Sequence, residues 1–227
     1  MITKTKLCNF KLYYKDNEEK YKSIFADVVN YRFRTLKVFR NTNDTKVSLI
    51  DTEYGKYILK IFSPKTRKAE RFLKSFIKGD YYKHLIVKTD RAKKKGLVFP
   101  NDIYFLAERK IFNYSGIFIM LNEYVEGEML CDYAIIPDAF KNEIKKSIDK
   151  LHSLNLLSGD PHSGNLVVTK EGIRLIDLTG KRCTPERKAR DRISLEENLG
   201  IPNEIKNFSY YHAIFKKCIR KFIRRKS

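Results

Sequence analysis

The stretch "SGDPHSGN", residues 158–165, decides how this chain is read. It sets an aspartate, a histidine and an asparagine on a turn built from proline and glycine, in a chain of formal net charge +20. Asp160 and Asn165 stand on that turn, and Asp177 follows at the end of the apolar run "IRLID", 173–177. A carboxylate and an amide oxygen beside a second carboxylate make an oxygen-rich set. Hard Mg²⁺ takes such donors together with phosphate oxygens, using one or two protein carboxylates. Pro161 and Gly164 fix the turn that aims these groups outward; taken by itself, the loop also fits an Asx-type turn closing a hairpin.

Working outward, the residues before the loop read as a helix. Phe140, Ile144, Ile148, Leu151 and Leu154 recur at helical spacing, and Pro137 and Asp138 supply a start signal. After the loop, "LVV" (166–168) and "IRLID" (173–177) read as short strands around a Gly172 turn, with helices at about 186–198 and 203–225. The first half is strand-rich. A polar helix fits 16–30, and alternating runs fit strands at 33–40, 45–51, 56–62, 103–111 and 116–125. Between them, 65–79 has the spacing of a helix, with Phe72 and Phe76 one turn apart. The pattern predicts an α+β chain of two lobes, 1–124 with an antiparallel sheet and one helix, and 125–227 mainly helical, joined near Glu123–Gly127 with a cleft between them.

Composition sets limits on function. Apolar residues make up 42% of 227 positions, enough for a packed core. No apolar run reaches the ~18 residues of a membrane span, and "MITKTKLCNF" lacks the apolar region of a secretory signal, so a cytosolic protein is expected. Cys8, Cys131, Cys183 and Cys218 are scattered without a C-x-x-C pair, which predicts reduced thiols rather than zinc or disulfides. The positive charge asks for a polyanionic partner: nucleic acid, an anionic membrane surface or a phosphorylated substrate.

Asp160, then Asn165, then the aspartate of "DLTG" (177–180) follow the order and spacing of the protein-kinase catalytic loop and its metal-binding segment, without the phenylalanine. The loop also resembles the H-G-D-x-H-x-x-N loop of kinase-like small-molecule phosphotransferases, with Ser158 where the first histidine usually sits, and the preceding helix ends in "LH" as theirs often do. This resemblance implies a protein-kinase-like fold and a role for each residue. Asp160 would accept the proton of the acceptor hydroxyl, or orient it, and Asn165 and Asp177 would hold Mg²⁺ against ATP. His162 would stand near the transferred phosphate or tie down the loop. Lys60, inside "YILKIF", is costly in an apolar strand unless paired, and Glu70 is its natural partner. The alternative is a lysine that reaches solvent from an edge strand and a surface pair of little worth. The glycine-free turn "RNTNDTK" (40–46) would cover the phosphates, with Lys46 and the threonines as donors. By order along the chain, the backbone groups of Glu123 and Val125 would meet the adenine.

The C-terminal "FSYYHAIFKKCIRKFIRRKS" (208–227) carries Phe208, His212, Phe215, Ile219 and Phe222 on one stripe among many cations, the pattern of a membrane-surface helix or of a last helix with a solvated basic edge. The series "KVFR", "DTKV", "LAERK", "SGDPH", "IDL", "GKR" and "DRI", spread from Lys37 to Glu196, resembles the bacterial lipopolysaccharide core heptose kinases that phosphorylate the second heptose. That resemblance implies ATP, Mg²⁺, a core oligosaccharide on lipid A as acceptor, and work at the cytoplasmic face of the inner membrane. The competing expectations are a kinase of another core sugar or of a protein hydroxyl, and a basic nucleic-acid-binding protein on a kinase-like scaffold, for which no binding motif is present.

Overall fold

In the computed structural model, residues 1–65, 70, 72–73, 76, 80–112 and 114–226 are described. Two compact units divide the chain, Met1–Tyr124 and Val125–Ser227.

The first unit is built on seven strands: β1 (Ile2–Leu7), β2 (Phe10–Lys15), β3 (Arg34–Asn41), β4 (Thr45–Thr52), β5 (Gly55–Phe62), β6 (Ile103–Ile111) and β7 (Tyr114–Glu123). They form one antiparallel sheet in the order β1-β2-β6-β7-β5-β4-β3. Alternation along β5 sends Tyr57, Leu59 and Ile61 to one face, where they join Leu12, Tyr14, Ile50, Phe105 and Leu121. Helix α1 (Glu19–Val29) closes that face with Tyr21, Ile24, Phe25 and Val28. Phe25 meets Phe10 and Phe105 edge to face, with ring centroids 5.5 and 5.7 Å apart, a favoured aromatic arrangement.

α1 falls within the polar helix expected over 16–30, and this unit also holds α2 (Tyr81–Lys94), which adds to the one helix expected for it. α2 went unread because its buried side includes Thr89 and Asp90 beside Leu85, Ile86 and Ala92, which blurs the apolar stripe. The β1–β2 hairpin was hidden for a similar reason. Tyr13 and Tyr14 are both buried, breaking alternation, and the turn at Cys8 and Asn9 takes positive φ of 49° and 62° without a glycine. Most of the helix expected over 65–79 lies outside the described residues; Glu70, Phe72, Leu73 and Phe76 are helical.

In the second unit, β8 (Glu128–Met129), β9 (Leu166–Thr169) and β10 (Gly172–Leu175) make a small sheet in the order β10-β9-β8. Helix α3 (Asp138–Ser153) buries Ile144, Ile148, Leu151 and His152. Helix α4 (Pro185–Leu199) begins with Pro185 behind an N-cap threonine, Thr184, which accepts from the Arg187 N–H, and it ends at Gly200 with φ of 64°. Helix α5 (Phe208–Lys226) packs Tyr210, Ala213 and Ile214 onto Ala189 and Ile193 of α4. It starts at Phe208, five residues later than expected, after an irregular stretch in which Asn203 accepts from the Ile205 N–H. Among the described residues, no helix is long and apolar enough to cross a membrane.

Candidate active site

The loop after α3 is held from beneath. Asp191 of α4 is buried at 3% exposure, and its carboxylate accepts from the Ser158 N–H (2.9 Å) and the Gly159 N–H (3.0 Å). His152, at the end of α3, brings Nε2 to 3.1 Å from the same carboxylate. An ionised carboxylate only accepts, so this geometry assigns the ring proton to Nε2. Asp191 thus collects three donors in a dry setting, where hydrogen bonds to a charge are strong.

Above this anchor the chain turns sharply. Leu157 bridges to Thr179, and Gly159 adopts φ of 87°. A Cβ at Gly159 would stand 2.6 Å from the Thr179 methyl, so both the φ and the contact demand glycine. Asp160 then projects outward, with its side chain 74% exposed.

His162 caps the short 3₁₀ turn Ser163–Asn165 by accepting from the Gly164 N–H at Nδ1. The ring proton therefore sits on Nε2, which lies 3.9 Å from Asp160 Oδ2. This contact gives His162 a loop-fixing part.

Asn165 donates Nδ2 to the Asp160 carbonyl (3.0 Å), while its own carbonyl accepts from the Ile176 N–H (2.9 Å). With its nitrogen used, the amide offers Oδ1 to a cation. Next along the chain stands Asp177, exposed, two residues beyond the end of β10. Its φ of 140° is a conformation that side-chain-bearing residues seldom hold, and backbone strain of this kind collects at functional positions. Asp160 and Asn165 are thus tied to each other and to the backbone of Ile176, the residue before Asp177. A single amide oxygen with one or two carboxylates fits Mg²⁺ that brings phosphate ligands of its own. Among the described residues no cluster of three or more His, Cys, Asp or Glu side chains could cage a metal by itself.

In the first unit, Lys60 lies half-buried on β5, opposite Val47 and Met120 and on the sheet face away from Tyr57 and Leu59. Glu70 is helical and exposed. Lys46 pairs with Ile61, so the register puts it on the sheet face opposite to Lys60. The turn before it needs no glycine. None of residues 41–45 takes a positive φ, Thr42 and Thr45 close the turn on each other, and Asp44 accepts from the Lys65 N–H (2.9 Å). Glu123 ends β7 with its N–H on the Asp102 carbonyl (3.0 Å) and its carboxylate accepting from the Asp102 N–H (2.8 Å). Its N–H is therefore taken within the first unit. Val125 is half-buried in irregular chain.

Asp191 and His152 are the positioning residues that sequence reasoning passed over. Both stood in stretches it had quoted, "DRI" and the "LH" closing α3, but nothing in the spacing announces that α4 passes under the loop.

The profile of a family described as "Lipopolysaccharide core biosynthesis protein (WaaY)" matches residues 1–227. The chain is 61% identical over 225 residues to a lipopolysaccharide core heptose(II) kinase WaaY of Escherichia coli, covering 99% of this chain and 98% of the relative. It is 47% identical to the protein of that name from strain K12, over 99% of this chain and 97% of the relative. Among solved structures it is similar to the kinase domain of Mycobacterium tuberculosis PknI, with a TM-score of 0.45 and 18% identity over 72% of this chain and 70% of that one.

Proposed function

Because the chain belongs to the WaaY family of lipopolysaccharide core biosynthesis proteins, we propose that it is an ATP-dependent kinase that phosphorylates the second heptose of the lipopolysaccharide inner core. The observation that supports the chemistry is the Asp160–Asn165–Ile176 network, which ties the backbone of exposed Asp160 to Asn165 and to the residue before Asp177.

Phosphoryl transfer needs little covalent work from the protein; it needs positioning and charge neutralisation. Asp160 orients the heptose hydroxyl and takes its proton as the new oxygen–phosphorus bond forms. The bond between the γ-phosphorus and the bridging oxygen breaks, and ADP leaves with that oxygen. His162 holds the loop backbone at Gly164 and keeps its Nε2 proton toward Asp160. Asn165 Oδ1 and the Asp177 carboxylate would hold Mg²⁺, which supplies neutralisation of the triphosphate when bound. As the kinase resemblance implies, Lys60, with Glu70 as its partner, would meet the nucleotide phosphates, and the backbone groups of Glu123 and Val125 would meet the adenine. Lys46, on the other sheet face, is left outside this set.

The acceptor is lipid-linked and polyanionic, which suits a chain of net charge +20. The protein works at the cytoplasmic surface of the inner membrane, drawn there by the cations of α5. Labelled ATP offered with core lipopolysaccharide from cells lacking this protein tests the reading. Label on the second heptose is expected; label on another sugar, or only on added protein, overturns it.

A further inference from the structure

Helix α5 has two apolar faces with different surroundings. Tyr210 and Ala213 are buried at 8% and 3% exposure against α4, with Ile214 beside them. Ion pairs fix this orientation: Lys216 lies 3.2 Å from Glu186, and Lys217 pairs with Glu197. His212 Nδ1 stands 3.5 Å from Glu186 as well. The larger apolar side chains face the other way. Phe208, Tyr211, Phe215, Ile219 and Phe222 are 83%, 60%, 63%, 41% and 60% exposed, and their three- and four-residue steps draw one stripe along the helix.

From this two-sidedness we infer that the outward aromatic stripe of α5 inserts into the acyl boundary of an anionic bilayer and docks the second unit there. The inference rests on the reading of a lipid-linked acceptor and deepens it, since cations alone would hold the helix at the headgroups without entering. Charge selects the occupant. Besides Lys216 and Lys217, which pair with α4, the helix contains Arg220, Lys221, Arg224, Arg225 and Lys226 and no acidic residue. A second copy of the stripe would bring these cations against their like, whereas anionic headgroups complement them. An amphipathic helix with aromatic residues on one face and cations beside them lies in the interface plane, its apolar face in the acyl boundary. The inner ion pairs leave α5 attached to α4 while the stripe is engaged.

The chain contains no tryptophan, so Phe215→Trp installs a single reporter at an exposed position. With vesicles of phosphatidylglycerol and phosphatidylethanolamine, its emission should shift to the blue and be quenched by bromine-labelled acyl chains. Phosphatidylcholine vesicles should leave it unchanged. Unshifted emission from protein that sediments with the anionic vesicles would mean headgroup attraction alone and overturn insertion, as would failure to bind them. Phe208→Glu combined with Phe215→Glu should lower vesicle binding by about tenfold or more. On deacylated core oligosaccharide in solution, the same variant should turn over within about twofold of wild type, since neither residue belongs to the catalytic loop. If wild type fails to phosphorylate that oligosaccharide, the heptose reading is at fault, and the tryptophan spectrum still decides insertion.

Discussion

Asn165 reaches back to Asp160: its Nδ2 donates to the Asp160 carbonyl over 3.0 Å, so the amide that would serve the cation also fixes the backbone of the proposed base. The two functions separate by mutation. Asn165→Asp keeps an oxygen donor but loses the N–H and places a second acceptor against a carbonyl. Phosphate transfer should fall by about 10- to 100-fold while Mg²⁺ dependence is retained. Asn165→Ala should in addition raise the Mg²⁺ concentration for half-maximal rate, which a magnesium titration of both variants reads directly.

Gly159 should tolerate no side chain. Gly159→Ala meets the Thr179 methyl at 2.6 Å and keeps a φ of 87° that disfavours alanine. A loss of about 2 kcal/mol is expected, measured by urea unfolding. Removing the methyl with Thr179→Ser should restore only part of it, because the Thr179 Cβ still lies 2.7 Å away and the φ is unchanged.

The buried carboxylate of Asp191 is expected to matter for both stability and rate. Asp191→Asn turns one acceptor into a donor facing the N–H groups of Ser158 and Gly159 and His152 Nε2. Leaving such donors unsatisfied costs about 3 kcal/mol, read from the unfolding midpoint. Transfer should fall too, because the loop backbone loses its anchor. Ser158→Ala makes the contrast, since Asp191 holds only the Ser158 backbone N–H, and Ser158 Oγ has no hydrogen-bond partner among the described residues. Near-wild-type activity is expected there.

How much of this was legible in the sequence depends on what each residue had to signal. Strands β3 to β7 and helices α1, α3 and α4 declared themselves through apolar patterning, length and punctuation, although β3 is exposed along its whole length and β7 buries Phe118–Asn122 on both faces. The hairpin β1–β2 and helix α2 bury tyrosine, threonine and aspartate, and so carry no clean period. The order Asp160, Asn165, Asp177 was legible as spacing, whereas the support by Asp191 joins chain segments that spacing does not relate. On α5 the apolar period was visible, but a period does not say which face is covered. The small residues near Tyr210 take the protein side, and the large aromatics face outward.

A buried charge cluster in the first unit gives a pH-dependent prediction. Burial pushes the Glu108 carboxyl above the ordinary carboxylate range, and the hydrogen bond and charge of Lys110, 2.9 Å away, only partly offset it. Between the ordinary value of 4.5 and the raised one, the folded chain holds more protons than the unfolded chain. Stability contributed by Glu108 is therefore present at low pH and declines as pH rises through that window. Glu108→Gln should flatten the slope in urea midpoints taken from acid to neutral pH. Lys110→Met alone leaves the carboxylates of Glu108 and Asp80 without this cation and should cost about 3 kcal/mol.

Catalysis through Asp160 is tested most directly by Asp160→Asn, assayed for transfer from labelled ATP to core lipopolysaccharide while nucleotide affinity is measured on the same sample. The carboxamide keeps the shape but takes up no proton. The turnover should drop by about 10²- to 10⁴-fold, with nucleotide affinity within about twofold of wild type. Wild-type turnover by this variant would remove Asp160 from the chemistry and contradict the mechanism built on it.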